Sequence, residues 1–241
     1  NFISNFQVAL NPQITKNYAN GNIQEMEKLT YLGIKFSYII LFFLAFPLSL
    51  NINYVLQLWL VEVPDYTALF IILIMIDSLV GNLFGVPLMT SLSSTGKIRN
   101  YQIVVSFIIL LIVPVGYVAL RLGCNAPSVF YITIIFSGLS GFVRFLFCRK
   151  QIGYSLRAMT KSVLLPVTCM TLVALPLPIF AKLEYFKTDT FMNFLLLCLI
   201  SIVMTFVSAW FVGLNATEKG KLLSIIKSKR YTLLKPNIRN I

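Results

Sequence analysis

The chain has 241 residues, of which 58% are hydrophobic and only 12% are charged, and its formal net charge is +12 at pH 7. A soluble domain has roughly 45–50% apolar and about 25% charged residues, so this composition excludes an ordinary soluble globule. The mean hydropathy of +0.83 instead indicates an integral membrane protein. Its apolar residues come in unbroken runs, which argues against a β-barrel, where lipid-facing and lumen-facing positions alternate.

The chain opens with NFISNFQVAL, an apolar stretch about half as long as a membrane-spanning helix requires. It lacks the charged region and the cleavage site of a signal peptide. We therefore expect residues 1–10 to be the inner end of a partial helix that leaves the membrane at Asn11. On this interpretation the chain is a C-terminal fragment, and the missing N-terminal half of the same protein is its first partner.

A polar connection follows, and it contains the turn sequence NGN. Asn22 followed by Glu25 has the spacing of a capping box, which predicts a new helix that begins beside the membrane surface. Ile23, Met26 and Thr30 would lie on one side of this helix, which is expected to lie partly in the membrane interface before it enters the bilayer. A tight connecting turn with a solvated Glu25 accounts for the same residues.

Six apolar runs of about 20 residues then predict six transmembrane helices. Prolines inside several runs are compatible with this prediction, because neighbouring helices can satisfy the freed backbone groups. We expect an all-α, polytopic helix bundle over residues 1–213, followed by a basic tail over residues 214–241. The predicted transmembrane segments are 31–50, 67–90, 101–121, 127–148, 161–181 and 190–213.

The positive residues divide unevenly between the two sides of this topology. Of the 20 Lys and Arg residues, 17 fall on one side, and only Arg121, Lys182 and Lys187 fall on the other. Cytoplasmic loops carry the excess of positive charge, so the first side and the C-terminus are predicted to be cytoplasmic. The net charge is thereby explained by topology, and we expect no nucleic acid as a partner.

The residues needed for most catalytic or metal sites are scarce. There is no histidine, and the eight acidic residues include seven in predicted loops. Four cysteines lie in or beside four different predicted segments, without CxxC spacing. We expect no enzyme, no catalytic residue, no metal and no cofactor, and interpret the cysteines as apolar packing residues: Cys124, Cys148, Cys169 and Cys198.

Three stretches together suggest a family. NPQITKNYANGN before a helix, VLQLWLVEVPDYTALF, and the segment with Asp77 followed by STGKIRNYQI resemble the C-terminal half of polysaccharide biosynthesis proteins, the Wzx-type flippases of the multidrug/oligosaccharidyl-lipid/polysaccharide exporter superfamily. The resemblance extends to about residue 150. The aromatic residues of the second stretch are equally typical of an ordinary membrane-interface belt.

The resemblance implies two pseudo-symmetric halves around a central cavity that opens to either side in turn. It also implies an undecaprenyl-diphosphate-linked oligosaccharide as substrate, moved across the bacterial inner membrane for lipopolysaccharide, O-antigen or capsule biosynthesis. The nearest rival function is a multidrug or cation antiporter of the same superfamily, which would have an acidic cavity without cations. A membrane enzyme or a non-transport subunit of polysaccharide assembly is a further alternative, although an enzyme would need a larger external loop.

Asp77 lies near the middle of LFIILIMIDSLVGNLFGVPL. A carboxylate at the centre of a bilayer costs about 2.5–3.5 kcal/mol and usually faces the interior of a bundle. Helical spacing places it on one face with Gly81 and Gly85, a step that permits close helix approach, while Asn82 lies one residue off this face. Asp77 and Asn82 are therefore candidates for binding a coupling proton or sodium ion in the cavity. An interhelical hydrogen bond is the alternative for Asp77.

A diphosphate also needs a cation, and Arg144 in GLSGFVRFLFCRK is the deepest one on the predicted cytoplasmic side. An Arg fork matches phosphate oxygens, although Arg144 could instead extend to the membrane interface. Further candidates, each also explained as a topology determinant, are Lys16, Lys35, Lys97 and Arg99. In the tail we expect a short surface helix around residues 218–229 that contacts anionic membrane lipids.

Overall fold

The computed structural model describes residues 2–60, 62–186, 190–216 and 218–220, and in these ranges it contains helices and no β-strand. Two short π-helical turns, Thr160–Leu164 and Ala209–Gly213, continue neighbouring α-helices. The twelve α-helices of the described ranges are α1 Phe2–Ala19, α2 Ile23–Leu50, α3 Ile52–Trp59, α4 Thr67–Asn82, α5 Val86–Ser94, α6 Arg99–Leu110, α7 Ile112–Arg121, α8 Ser128–Ile152, α9 Leu156–Met159, α10 Leu165–Ala174, α11 Pro176–Glu184 and α12 Phe191–Ser208.

Six helical stretches in the described part of the chain are long and apolar enough to cross a membrane, and we call them spans 1 to 6. Their number and their helical character confirm the sequence prediction of an all-α chain with six such helices. In chain order the spans are Ile23–Leu50, Thr67–Ser94, Arg99–Arg121, Ser128–Ile152, Leu156–Glu184 and Phe191–Gly213.

Span 1 begins earlier than the apolar run that predicted it. The helix is continuous from Ile23, so the expected surface helix and the span are one element. Asn22 is the N-cap residue, but its side chain makes no capping hydrogen bond, so the predicted capping box is wrong. Met26 and Thr30, on the side of the helix that the sequence singled out, are fully buried in the bundle.

The opening helix α1 does not end at residue 10 as expected but continues through Pro12 to Ala19. Tertiary contacts stabilise this extension. The Thr90 hydroxyl donates a 2.7 Å hydrogen bond to the Asn11 side-chain oxygen, and Leu10 packs against Gly33 of α2. A proline in a helix removes one backbone donor, and here packing against α2 and α5 offsets that loss.

Neighbouring spans alternate in direction. Thr30 of α2 lies beside Ser91 of α5, while the earlier Pro87 lies beside the later Gly33, so spans 1 and 2 are antiparallel. The helix ends Ile23, Ser94, Ile152 and Gly213 consequently lie at one end of the bundle. We call it the basic end because its exposed cations include Lys16, Lys28, Lys97, Arg99, Arg149, Lys150, Arg157 and Lys161.

Packing is uneven along the bundle. Span 1 is the most buried and contacts α1, α4, α5, α10 and α12, while α8 contacts α4 to α7. Far from the basic end, α4 buries little besides Leu73, and α7 buries only Gly116. Large buried side chains are concentrated nearer the basic end, namely Tyr31, Ile34, Leu88, Leu92, Tyr101, Phe145, Cys148, Tyr154, Met159 and Val163.

Candidate functional site

Span 2 is interrupted between α4 and α5, at residues 83–85. Pro87 occupies the first turn of α5 and has no N–H to continue the helical hydrogen bonding of α4. The amide of Leu88 bonds to the carbonyl of Gly85, which leaves the Phe84 carbonyl without its usual helical donor. The interruption thus presents a free backbone acceptor near the middle of a span.

Arg144 of α8 supplies the missing donor. Its Nη1 donates a 2.5 Å hydrogen bond to the Phe84 carbonyl oxygen, and its guanidinium lies 5.9 Å from the centre of the Tyr101 ring. Its Nε is buried without a hydrogen-bond partner. Arg144 therefore points toward span 2. Its side chain does not extend along α8 toward the membrane interface, which was the alternative.

Asn82 is the last residue of α4, and it is 8% exposed. Its side-chain oxygen accepts a 2.5 Å hydrogen bond from Nε2 of Gln7, which belongs to α1 and is 4% exposed. The Asn82 Nδ2 group has no partner. The sequence pattern missed Gln7, because it lies 75 residues from Asn82 in a segment interpreted as the inner end of a partial helix.

Asp77 lies on the strip of α4 that faces α8. It is seven residues after Phe70, whose ring stacks on Phe130 at 4.8 Å, and seven before Phe84, which packs on Gly141. Its Oδ1 is buried without a hydrogen-bond partner, so the predicted interhelical hydrogen bond is absent at this atom. Asp77 lines neither of the two cavities described below.

The expected close approach is wrong at Gly81, whereas at Gly85 a Cβ would lie 3.4 Å from Nε2 of Gln7 in α1. A Cβ on Gly81 would meet no atom within 4 Å, and the interruption separates the two glycines. The close approach is made instead by α8, because a Cβ on Gly141 would lie 2.5 Å from the Phe84 Cβ. Glycine spacing within one helix could not show which helix provides the small residues.

We use the name polar site for Asp77, Asn82, Arg144 and Gln7. Among the described residues, the one hydrogen bond within this set joins Gln7 to Asn82, while Arg144 bonds to the Phe84 carbonyl. In the described part of the chain, six buried side-chain polar atoms have no hydrogen-bond partner, and three of them belong to Asp77, Asn82 and Arg144. More than about 90% of buried polar groups in proteins are paired, so unpaired ones require an explanation such as a bound ion, water or ligand. The three predicted residues thus combine unsatisfied anionic, amide and cationic groups on spans 2 and 4.

The remaining cations that the sequence suggested do not join Arg144. Lys35 is 1% exposed, and its ammonium lies 2.6 Å from the Glu218 carboxylate. Lys16, Lys97 and Arg99 are exposed at the basic end. Among the residues that the structure describes, no group of three acidic or cysteine side chains could hold a metal ion.

A polar cavity of about 690 Å³ lies at the basic end between α1, α2 and the start of span 5. Three carboxylates line it, and each already has a partner: Glu25 pairs with Lys28, Glu27 with the Tyr31 hydroxyl, and Glu218 with Lys35. A second, apolar cavity of about 430 Å³ lies between the second half of α2, the middle and C-terminal part of α4, and helices α10 and α11.

Three buried hydroxyls close the bundle beside the polar cavity. Thr30, Ser91 and Tyr154 are each at most 1% exposed, and their oxygens are 2.9 to 3.1 Å apart. Burial raises the pKa of Tyr154 to about 12, although its hydrogen bonds with Ser91 and Thr30 act in the opposite direction. The Tyr154 hydroxyl is therefore protonated at neutral pH and joins the turn after α8 to α2 and α5.

No family model, no curated protein and no solved structure matches this sequence. Its function must therefore be inferred from the chemistry of the described residues.

Proposed function

We propose that the chain is part of a flippase that moves undecaprenyl-diphosphate-linked oligosaccharides across the bacterial inner membrane for lipopolysaccharide, O-antigen or capsule biosynthesis. The observation that supports this proposal is the polar site within spans 2 and 4, where Asp77, Asn82 and Arg144 keep unsatisfied buried atoms. Ionisable groups and interrupted helices inside membrane spans are typical of substrate and ion pathways in transporters.

Arg144 is the proposed contact for the diphosphate. Among the described residues it makes no ion pair, and its Nε donor is unused. The bond from Nη1 to Phe84 fixes the guanidinium while its other N–H groups stay available for phosphate oxygens. Asp77 is the proposed acceptor for a coupling proton or sodium ion. The unpaired Nδ2 of Asn82 is a hydrogen-bond donor, so Asn82 can take part only through its side-chain oxygen, which already accepts a hydrogen bond from Gln7.

In this proposal the basic end faces the cytoplasm, because cytoplasmic ends of spans carry the excess of Lys and Arg. The substrate headgroup enters from that end, and the site on spans 2 and 4 faces a cavity completed by the other half of the transporter. Alternating access then exposes the site to each side of the membrane in turn.

The test is transport in proteoliposomes that contain the full protein and fluorescently labelled undecaprenyl-diphosphate-linked N-acetylglucosamine. Arg144→Gln removes the proposed phosphate contact, and we expect at least about tenfold slower transport, which is the effect of losing about 1.4 kcal/mol. Arg121→Gln is the matched control, because Arg121 is exposed at the opposite end. Equal rates for the two variants would refute the role of Arg144, and no movement of the lipid by the wild-type protein would refute the flippase.

A cation antiporter is the second candidate, and the polar cavity at the basic end favours it. Glu25, Glu27 and Glu218 line this cavity, while Lys28 is the single cation among its lining residues. Ethidium efflux from the same proteoliposomes distinguishes the two functions. Ethidium transport that Glu27→Gln abolishes, without movement of the lipid-linked sugar, would establish the antiporter instead.

A further inference from the structure

A second cavity at the basic end opens beside the turn between spans 4 and 5, and it lies apart from the polar site. Its volume is about 730 Å³. Both helices that flank the turn contribute to it, so it lies where two spans end. The residues that line it are Arg149, Gly153, Tyr154, Ser155, Leu156, Arg157 and Thr160.

The ionisable lining gives this cavity a positive charge. Arg149 and Arg157 are both exposed, and neither side chain makes a hydrogen bond or an ion pair with another described residue. The Glu27 carboxylate approaches the turn, but it accepts hydrogen bonds from the Ser155 amide at 2.8 Å and from the Tyr31 hydroxyl at 2.9 Å. Within the part of the chain that the structure describes, the two guanidinium groups therefore have no acidic partner of their own.

Three features hold the backbone of the turn that positions the two arginines. Gly153 ends α8 with φ of +90°, a conformation that favours glycine. The Ser155 amide bonds to Glu27, and its carbonyl accepts from the Tyr31 hydroxyl. Tyr154 is anchored through the buried hydroxyl cluster. Because the turn is held in this way, a ligand that binds both arginines need not order the backbone first.

An apolar side chain accompanies these cations. Leu156 lines the same cavity and is 40% exposed, next to the ends of two spans that are apolar enough to cross a membrane. A ligand with an anionic head and hydrocarbon chains matches this combination, since basic pockets between the cytoplasmic ends of membrane helices suit lipid headgroups. We propose that the cavity between Arg149 and Arg157 binds the phosphate headgroup of an anionic membrane phospholipid.

The experiment is native mass spectrometry of the full protein released from nanodiscs that contain phosphatidylglycerol and phosphatidylcholine. We expect the wild-type protein to retain phosphatidylglycerol selectively. The double variant Arg149→Ala/Arg157→Ala should lower the fraction with bound phosphatidylglycerol about tenfold or more, because it removes both cations that attract the anionic headgroup. Arg149→Lys/Arg157→Lys should recover part of the binding.

The matched control is Lys150→Ala/Lys161→Ala, which removes the same charge from exposed residues that do not line the cavity. Helical circular dichroism of each variant confirms that it is folded. An equal loss of phosphatidylglycerol from the control variant would show that the basic end attracts anionic lipid without a specific site, and would overturn the proposal. Equal retention of phosphatidylcholine and phosphatidylglycerol by the wild-type protein would overturn it too. Binding of inorganic phosphate in lipid-free detergent, with the same dependence on Arg149 and Arg157, would overturn the lipid in favour of free phosphate.

Discussion

The Lys35 ammonium lies 2.6 Å from the Glu218 carboxylate, and this ion pair joins span 1 to the residues that follow span 6. Lys35 is 1% exposed at its side chain and Glu218 is 13% exposed. Glu218 also accepts a hydrogen bond from the Asn215 amide at 2.8 Å. Lys35 and Glu218 are 183 residues apart in the chain. Lys35 therefore has a structural role in the bundle besides its contribution to the positive charge of the basic end.

Removing one member of this pair should be strongly destabilising. We expect Lys35→Met to lower the free energy of unfolding by about 3–5 kcal/mol, because it leaves Glu218 as an uncompensated, mostly buried charge. The double variant Lys35→Met/Glu218→Met should recover most of that loss. Denaturant unfolding in mixed micelles measures the free energy of unfolding of the single and the double variant. Lys28→Met is the control, because Lys28 pairs with Glu25 at an exposed position, and it should lower the free energy of unfolding by at most about 1 kcal/mol.

The contact between Phe84, at the interruption of span 2, and Gly141 of α8 predicts opposite effects for two glycines. Gly141→Ala should cost about 1–3 kcal/mol, because its Cβ would overlap the Phe84 Cβ and ring. Gly81→Ala has open space and should raise helix stability by up to about 1 kcal/mol. Thermal unfolding in detergent compares the two. In a Phe84→Gly background, which removes the Phe84 Cβ as well as its ring, the cost of Gly141→Ala should largely disappear, and a persistent cost would contradict the contact.

The buried Tyr154 hydroxyl predicts a specific dependence of stability on pH. Its pKa is raised from 10.0 to about 12 in the folded state, so its contribution is complete below pH 10 and is lost as the pH rises toward 12. At pH 8, Tyr154→Phe should be about 1 kcal/mol less stable than wild type because it loses hydrogen bonds. Near pH 11.5 the order should reverse.

The free energy of unfolding of both proteins at the two pH values tests this reversal. Tyr131→Phe is the control, because Tyr131 is half exposed and should show no such change. A constant difference between wild type and Tyr154→Phe from pH 8 to 11.5 would contradict burial of the hydroxyl.

Asp77→Asn should separate stability from transport. Removing an unpaired carboxylate from the middle of a span should stabilise the fold by about 1–2 kcal/mol, since an Asp there costs about 2.5–3.5 kcal/mol. The same change should slow transport if Asp77 accepts the coupling ion. Thermal unfolding and proteoliposome transport are measured together, with Ser78→Ala as the exposed neighbour control. Undiminished transport across a range of pH and sodium would reject the coupling role.

The spans could be predicted from the sequence because burial in hydrocarbon requires about 20 apolar residues in one run. That requirement is local, and it located all six spans to within a few residues except at the start of span 1. There the helix begins at Ile23, eight residues before the apolar run, because its first two turns pack on α1 and on the turn after α8.

The partners of the polar residues could not be predicted. The cost of a carboxylate in an apolar segment makes Asp77 a candidate, its position beside that face adds Asn82, and the need of a diphosphate for a cation adds Arg144. The surroundings of all three depend on contacts between residues that are distant in the chain. Arg144 bonds to a carbonyl 60 residues away, and Gln7 to an amide 75 residues away. The sequence predicts a continuous segment through Pro87, whereas the structure has an interruption there, and the packing of α8 shows which acceptor the interruption releases. The surface helix expected around residues 218–229 lies largely outside the described residues.

The concentration of large buried side chains near the basic end has a consequence for local opening. Amide hydrogen exchange follows the free energy of local opening, which falls where few apolar groups are buried. The amides of α7, which buries only Gly116, should exchange early, whereas those around Tyr101 and Phe145 should exchange last. The helices are therefore packed most tightly at the basic end, and their opposite ends can separate without loss of the packing at the basic end.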